Sequence, residues 1–403
     1  MHRLNSLPRL DFASLFSGCG GFDLGFRQVG FDICGAFDID PLAVGNYRAN
    51  LQHSADVADL ANGLPCERQL RNLGALLAGP PCQGFSTAGK RNLNDPRNKL
   101  LTLTGEIGLR LRPRVIVVEN VAGAIAGEHG RYWAALVEML RERGYRTVSL
   151  RCQASDFGMA QLRRRIVLVA WLGGREVHFD LPKSDPGRLS DALSGVHSAP
   201  NHHPKPLNPD SRPSRIAARI RPGQKLSNVR SSPSAVHTWD IPEVFGHTNA
   251  AQRSLLAALL RLRRRERLRD FGDADPVTRG RLTRELGRPI DGLAEALLAK
   301  GYLRKIGRRL DLAHTFNGKF RRLQWSQPSC TVDTRFGDPN FFLHPDENRG
   351  FTVREAARLQ GFPDSYVFHG DEASQFRLVG NAVPPPLARH IATFVAHLLG
   401  RCV

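Results

Sequence analysis

The chain has 403 residues, 41% hydrophobic and 24% charged, with a formal net charge of +19. A chain of this length and balance buries one large core or two moderate ones, which excludes a disordered or fibrous protein. No apolar run approaches the roughly 20 residues of a membrane span, and seven cysteines without a CxxC pair argue against a disulfide framework or a zinc site. The N-terminus lacks an apolar signal core, so a reducing cytoplasm is the expected location.

The positive charge is concentrated. Residues 181–320 hold 26 Lys and Arg against 13 Asp and Glu, whereas the remainder holds 31 against 25. That bias suits a segment facing phosphates, although a well-solvated surface would also produce it.

In chain order, "FASLFSG" (12–18), "ALLAG" (75–79), "VIVVEN" (115–120) and "RIVLVAW" (165–171) are short apolar runs that predict strands. "PLAVGNYRANL" (41–51) and "GRYWAALVEMLRERG" (130–144) predict helices between them. This alternation implies an α/β fold, a doubly wound and mostly parallel sheet with helices on both faces. Residues 196–235 are rich in Pro, Ser, His and Asn and read as irregular. Two basic helical stretches follow, and 276–313 has the helix–turn–helix–hairpin outline of a winged helix. A pair of amphipathic helices is an equal reading. Helical patterns return in 353–366 and 378–399. The expected organisation is a first part at 1–182, a basic insert at 183–325 and a closing part at 326–403.

"LFSGCGGFDLGF" (15–26) puts Gly18, Gly20, Gly21 and Gly25 between a strand and a helix, where glycine lets backbone approach a ligand or simply turn tightly. Asp38, at the end of the second strand, suits ribose hydroxyls, and Asp56 suits an adenine amino group. "LAGPPCQGFSTAGK" (77–90) holds Cys82 between two stiffening prolines and a glycine-rich exit. Glu119 ends an apolar strand in "VVENV", where a helix cap is the plainer reading. "QLRRR" sets Gln161, Arg163 and Arg165 before a strand. Ligands in doubly wound sheets bind beyond the carboxyl ends of the strands. The arginines reach that rim only if their strand runs antiparallel to its neighbours.

The ordered set "FSGCGGFDLGF", "GPPCQGFS", "ENV", "QLRRR", "RLQGFPDSY" and "GNAVPPPLA" resembles the cytosine-5 DNA methyltransferase family, over about 1–182 and 326–403. The resemblance implies the Rossmann-like mixed-sheet fold of S-adenosylmethionine-dependent methyltransferases, with S-adenosylhomocysteine as product and no metal. It implies methylation of C5 of a cytosine in double-stranded DNA after base flipping. By resemblance, Cys82 is the nucleophile at C6. Glu119 contacts N3 and the exocyclic amine, Arg165 holds O2, and Arg163 lies near the backbone or the thiolate. The cofactor would be surrounded by Phe16, Ser17, Gly18, Cys19, Gly20, Gly21, Asp38, Ile39, Asp56, Val57, Pro80, Leu100, Asn381 and Val383. Ile39 stands where the family often has an aromatic residue. Gln83, Ser86 and Gln161 are the expected DNA contacts. The insert matches the family's target-recognition block in position and basic composition. A monomer associated with the bacterial nucleoid, with a cognate restriction endonuclease, completes the expectation. A tRNA cytosine-5 methyltransferase shares the catalytic set and remains an alternative, as does a DNA-binding regulator that keeps only the fold.

Overall fold

The computed structural model describes residues 10–81, 99–173, 183–267 and 274–400. The first part runs β1 (Asp11–Leu15), α1 (Gly21–Arg27), β2 (Asp32–Asp38), α2 (Pro41–Leu51), β3 (Asp56–Val57) and β4 (Ala75–Ala78). It continues with α3 (Lys99–Leu111), β5 (Val115–Val121), α4 (Gly130–Glu142), β6 (Tyr145–Gln153), β7 (Gln161–Leu162), β8 (Arg164–Leu172) and α5 (Leu189–Leu193).

Seven of these strands form one sheet in the order β3-β2-β1-β4-β5-β8-β6. Strands β3 to β5 are parallel, as successive β–α–β crossovers dictate. Strand β8 turns antiparallel to both β5 and β6. The central strands are nearly continuous apolar runs because helices cover both faces. On one face Leu76, Ile116, Val118 and Leu168 pack with Ile107 of α3 and Leu136 and Leu140 of α4. On the other, Phe12, Phe26 and Phe31 form an aromatic cluster with ring centroids 5.1 to 6.4 Å apart. Helix starts follow local chemistry. At α2, for example, Pro41 occupies the first turn and the Asp40 carboxylate accepts the Leu42 N–H at 3.0 Å.

The next stretch comprises α6 (Arg212–Ala217), β9 (Lys225–Ser227), β10 (Ala235–Val236), α7 (Pro242–Phe245), α8 (Ala250–Arg265), β11 (Val277–Thr278), α9 (Arg279–Leu286), α10 (Asp291–Ala299), β12 (Leu303–Ile306) and β13 (Arg309–Leu312). Then come β14 (Asn317–Lys319), β15 (Arg321–Arg322), β16 (Ser329–Cys330), β17 (Phe342–Leu343), α11 (Val353–Leu359), α12 (Glu372–Asn381) and α13 (Pro385–Leu398). Among the described residues no helix is long and apolar enough to cross a membrane.

Two compact units result: Met1–His203 with Trp325–Arg335 and Val353–Val403, and Pro204–Gln324 with Phe336–Thr352. These borders differ from those expected at 183 and 325. Residues 183–203 pack with the sheet-bearing unit because Leu189 and Ser190 donate backbone N–H groups to Gln327 and Trp325. In addition, the fully buried Arg354 donates to the Pro200 carbonyl at 2.7 Å. Residues 336–352 belong to the second unit. There the buried Arg322 guanidinium is bonded by the carbonyls of Ala217, Ile220, His344 and Glu347, joining its two chain segments.

Candidate active site

After β1 the chain must turn sharply into α1. Phe16 and Gly18 take left-handed backbone conformations, with φ of +54° and +56°. The first is strained for a side-chain-bearing residue, as is common where a loop shapes a ligand site. Gly18 donates its N–H to the Asp38 carboxylate at 2.8 Å, and Asp40 donates to the other oxygen at 2.9 Å. Burial raises the Asp38 carboxyl above its ordinary value, opposed by these two N–H groups. The glycines divide by role. A methyl group on Gly18 would meet nothing within 4 Å, so only there is the backbone open to a ligand. On Gly20 it would lie 2.6 Å from Leu51, and on Gly21 only 2.4 Å from the Val383 carbonyl oxygen.

Of the residues expected at the cofactor, Asp38, Ile39 and Val57 lie at adjoining strand ends. Ile39 follows β2 and Val57 ends β3, and both are large apolar residues left over half exposed. Asp38 and Val57 are paired in the β2–β3 register, so the acid and the two apolar groups occupy adjoining strand ends. Asp56 is exposed, 3.7 Å from Arg48. The Ser17 hydroxyl is buried with no hydrogen-bond partner among the described residues. A held carboxylate, an apolar bracket and an orphaned hydroxyl fit an adenosine-containing cofactor. Val383 is buried, Leu100 is half-buried at the start of α3, and the exposed Asn381 ends α12. Cys19 is buried, which pushes its thiol up to about 12.

At the next strand ends, Glu119 and Arg165 form an ion pair at 2.6 Å, and each side chain is about a tenth exposed. The antiparallel direction of β8 brings them together, since Arg165 registers opposite Val121, two residues from Glu119 on the same strand face. Asn120, buried between them in sequence, donates its amide to the Pro80 carbonyl at 3.2 Å and so ties β5 to the segment that leads to residue 82. Cys82, Gln83 and Ser86 lie outside the described residues.

Two expectations meet a different environment. Gln161, read as a DNA contact, is fully buried. Its amide donates to Leu359 and Gln360 and accepts from Val332, which leaves no polar atom for DNA. Arg163 is likewise buried and donates to the carbonyls of Val332, Gly380 and Ala382 at 2.8 to 3.0 Å. Gln360 adds a bond to the Val379 carbonyl at 2.6 Å. "QLRRR", "RLQGFP" and "GNAV" are thus three sides of one buried polar lock.

Sequence reasoning passed over several residues. Asp23 is fully buried and accepts from Ser14 at 2.8 Å and Tyr47 at 2.6 Å, and burial raises its carboxyl to about 6. The Tyr366 hydroxyl donates to the Cys19 carbonyl. Arg377 pairs with Asp40 at 2.5 Å, joining α12 to the start of α2. The one available signal was a carboxylate inside the otherwise apolar face of "GGFDLGF".

The profile of C-5 cytosine-specific DNA methylases matches residues 10–397. The chain is 30% identical to the Type II methyltransferase M.AgeI of Thalassovita gelatinovora, covering 94% of this chain and 97% of that one. It is also 30% identical to Type II methyltransferase M1.HphI of Haemophilus parahaemolyticus, over 96% of this chain and 86% of that protein. Among solved structures, a putative DNA modification methyltransferase encoded within an E. coli prophage shares the fold, with a TM-score of 0.60 at 22% identity over 97% of this chain and 99% of that one. The S. pombe Dnmt2 methyltransferase does so with a TM-score of 0.55 at 15% identity, over 98% and 100% of the two chains. With the strand-end rim and the full-length match in agreement, the chain belongs to the C-5 cytosine-specific DNA methylases.

Proposed function

We propose that this protein methylates C5 of a specific cytosine in duplex DNA by adding the Cys82 thiolate to C6 of a base flipped out of the helix. The observation that carries this reading is the Glu119–Arg165 pair at 2.6 Å beside the Asn120 tie to Pro80, two residues before Cys82. C5 of cytosine is too weak a nucleophile to accept a methyl group directly. A thiolate adding at C6 makes the ring an enamine with electron density at C5. S-adenosylmethionine, when bound, supplies an electrophilic methyl on a sulfonium.

The chain's residues do the rest. Asp38 holds the ribose hydroxyls, Asp56 the adenine amino group, and Ile39 and Val57 contact the adenine faces. Phe16, Ser17 and Gly18 line the turn beneath. Pro80, Leu100, Asn381 and Val383 complete the surround, and Cys19, Gly20 and Gly21 shape it by packing. Glu119 contacts N3 and the exocyclic amine, and a proton placed at N3 offsets the charge that develops as the thiolate adds. Arg165 orients Glu119 and holds O2 of the base. Arg163 acts as a positioning residue through its carbonyl contacts. Ser86 and Gln83 bind the DNA. A water then removes the C5 proton, and elimination of Cys82 restores aromaticity. Base flipping is required because C6 is stacked in a duplex, and it costs a few kcal/mol.

Cys82 is the thiol suited to the chemistry on sequence grounds. Cys152, which registers opposite Arg165 on β6, is buried with its thiol pushed up to about 12, and so stays protonated. The second unit, Pro204–Gln324 with Phe336–Thr352, serves target recognition, supported by its excess of basic residues. The Type II names of the relatives support a cognate endonuclease as a functional partner.

The test is methyl transfer from labelled cofactor to duplex DNA and to tRNA, side by side. Label in DNA, loss of transfer in Cys82→Ser with duplex binding retained, and a covalent adduct with 5-fluorocytosine-containing duplex are expected. Label in tRNA alone, or turnover by Cys82→Ser, would overturn the proposal.

A further inference from the structure

Within the second unit, α8, β11, α9, α10, β12 and β13 form a body with its own core. Leu255, Leu259 and Leu262 of α8 pack with Leu282, Leu297 and Leu310. Its three strands are ordered β11-β13-β12, all antiparallel. Helices α9 and α10 are joined by a four-residue turn that begins at Gly287 with φ of +64°. A buried ion pair between Arg263 and Asp311 at 2.5 Å ties α8 to the hairpin. Helix, strand, helix–turn–helix and a closing hairpin is the connectivity of a winged helix.

The usual way such a body reads DNA is to lay the second helix of the pair in the major groove. Here that helix is α10, "DGLAEALLA", whose exposed side chains include Asp291 and Glu295. Both carboxylates are already held by Arg279, at 2.8 and 2.6 Å, and Lys305 lies 3.5 Å from Glu295. A helix face of ion-paired carboxylates, glycine and alanine offers phosphates and base edges no free cation. The hairpin tip has the opposite character. Residues 304–309, "RKIGRR", are all exposed, turning at Gly307 with φ of +57°. Among the described residues Arg308 has no acidic partner and the Arg309 side chain bonds only a carbonyl, that of Pro276, while Ile306 stands 43% exposed beside them.

Resting on the reading of the chain as a DNA methylase, we infer that α8, β11, α9, α10, β12 and β13 form a winged helix that holds duplex DNA by its wing. Arg308 and Arg309 grip phosphates, Ile306 packs on the sugar edge, and α10 reads no bases. Its contribution is affinity without sequence information.

The experiment uses the full chain and a random-sequence duplex, with binding followed by fluorescence anisotropy across a salt series. Arg308→Ala with Arg309→Ala is expected to reduce the slope of log K against log salt by about 1.8, at about 0.9 per phosphate. At about 0.1 M salt that reduction corresponds to tens of fold in affinity. KM for DNA should rise with kcat unchanged, and Arg308→Lys with Arg309→Lys should restore the slope and KM. Asp291→Asn with Glu295→Gln should leave the methylated sequence context unchanged in bisulfite sequencing. An unchanged slope in the alanine variant, a loss confined to tRNA or to an acidic protein, or a changed context in the α10 variant each overturns the inference. If the alanine variant has a lowered thermal midpoint, the charge-preserving variant and Arg308→Ala alone decide. Wild-type chain that methylates DNA with these outcomes negative sinks the wing alone; wild-type chain that methylates no DNA sinks the underlying reading.

Discussion

Three consecutive arginines do three different things. Arg163 spends its guanidinium on carbonyls in the core, Arg164 bonds Gln153 at the surface, and Arg165 meets Glu119 at the rim. Side chains alternate across a strand, so the neighbours of the central arginine point the other way, and their depth then separates them. Arg165→Ala should lower kcat by about a hundredfold or more, the loss expected when a preorganised charged group is removed. Its thermal midpoint should also fall, because the nearly buried Glu119 carboxylate loses its partner, and steady-state methylation kinetics below that midpoint with a melting curve check both. Asp23 tests burial in the same way. Its carboxyl rises from 3.8 to about 6 on folding, so the unfolded chain releases this proton at lower pH than the folded chain does. The stability that the protonated form supplies is full below 3.8 and is lost as pH rises through about 6. At about 1.4 kcal/mol per tenfold in proton affinity, the loss is about 3 kcal/mol. Asn at this position keeps an acceptor for Tyr47 and a group for Ser14. The midpoint of Asp23→Asn relative to wild type should therefore climb between pH 4 and 6 and level off above. Parallel curves across that window would refute the assignment.

At the scale of elements, close packing decides what glycine is for. Helix α1 lies against α13, and a methyl on Gly25 would come within 2.4 Å of Ala388 and 2.6 Å of the Pro385 carbonyl oxygen. Neither neighbour can rotate away, because one is a Cβ and the other is backbone. Gly25→Ala should therefore cost about 1–3 kcal/mol through forced separation of the two helices. Chemical denaturation should show that loss, with the affinity for cofactor little changed in the remaining folded protein. The polar lock works at the same scale. Gln161, Arg163 and Gln360 satisfy carbonyls at the ends of α11 and α12, where helices leave backbone groups unpaired. The recognisable strings in this chain are partly chemistry and partly the joinery that holds it.

For the whole molecule, charge is the dominant property. A net charge of +19, with the excess centred on residues 181–320, attracts a polyanion from a distance and is screened by salt. If six or more phosphates are neutralised, duplex affinity should fall by about a thousandfold or more between about 50 and 200 mM salt. Binding isotherms across that range test this, and a flat response would remove electrostatics from the account. Much of the local charge is internally matched. Arg261, Arg265 and Arg281 surround Glu285, for example, so net charge overstates the number of cations free for phosphate.

Local pattern determined a good deal. The strand expected at 115–120 is β5 over Val115–Val121, and the helix expected at 41–51 is α2 over the same residues. Apolar period and turn residues carry that information within a dozen positions, and the order of the motifs carried the family. The tertiary structure decided what each motif residue does. Arg163 finds its partners 169 and 217 residues away, and Gln161 finds its own 198 and 199 away. Whether β8 runs parallel or antiparallel also sets whether Arg165 meets Glu119 at all. Such pairings depend on where distant segments come to lie, and no short stretch of sequence encodes that, so a buried lock and a charged rim look alike until the chain is folded.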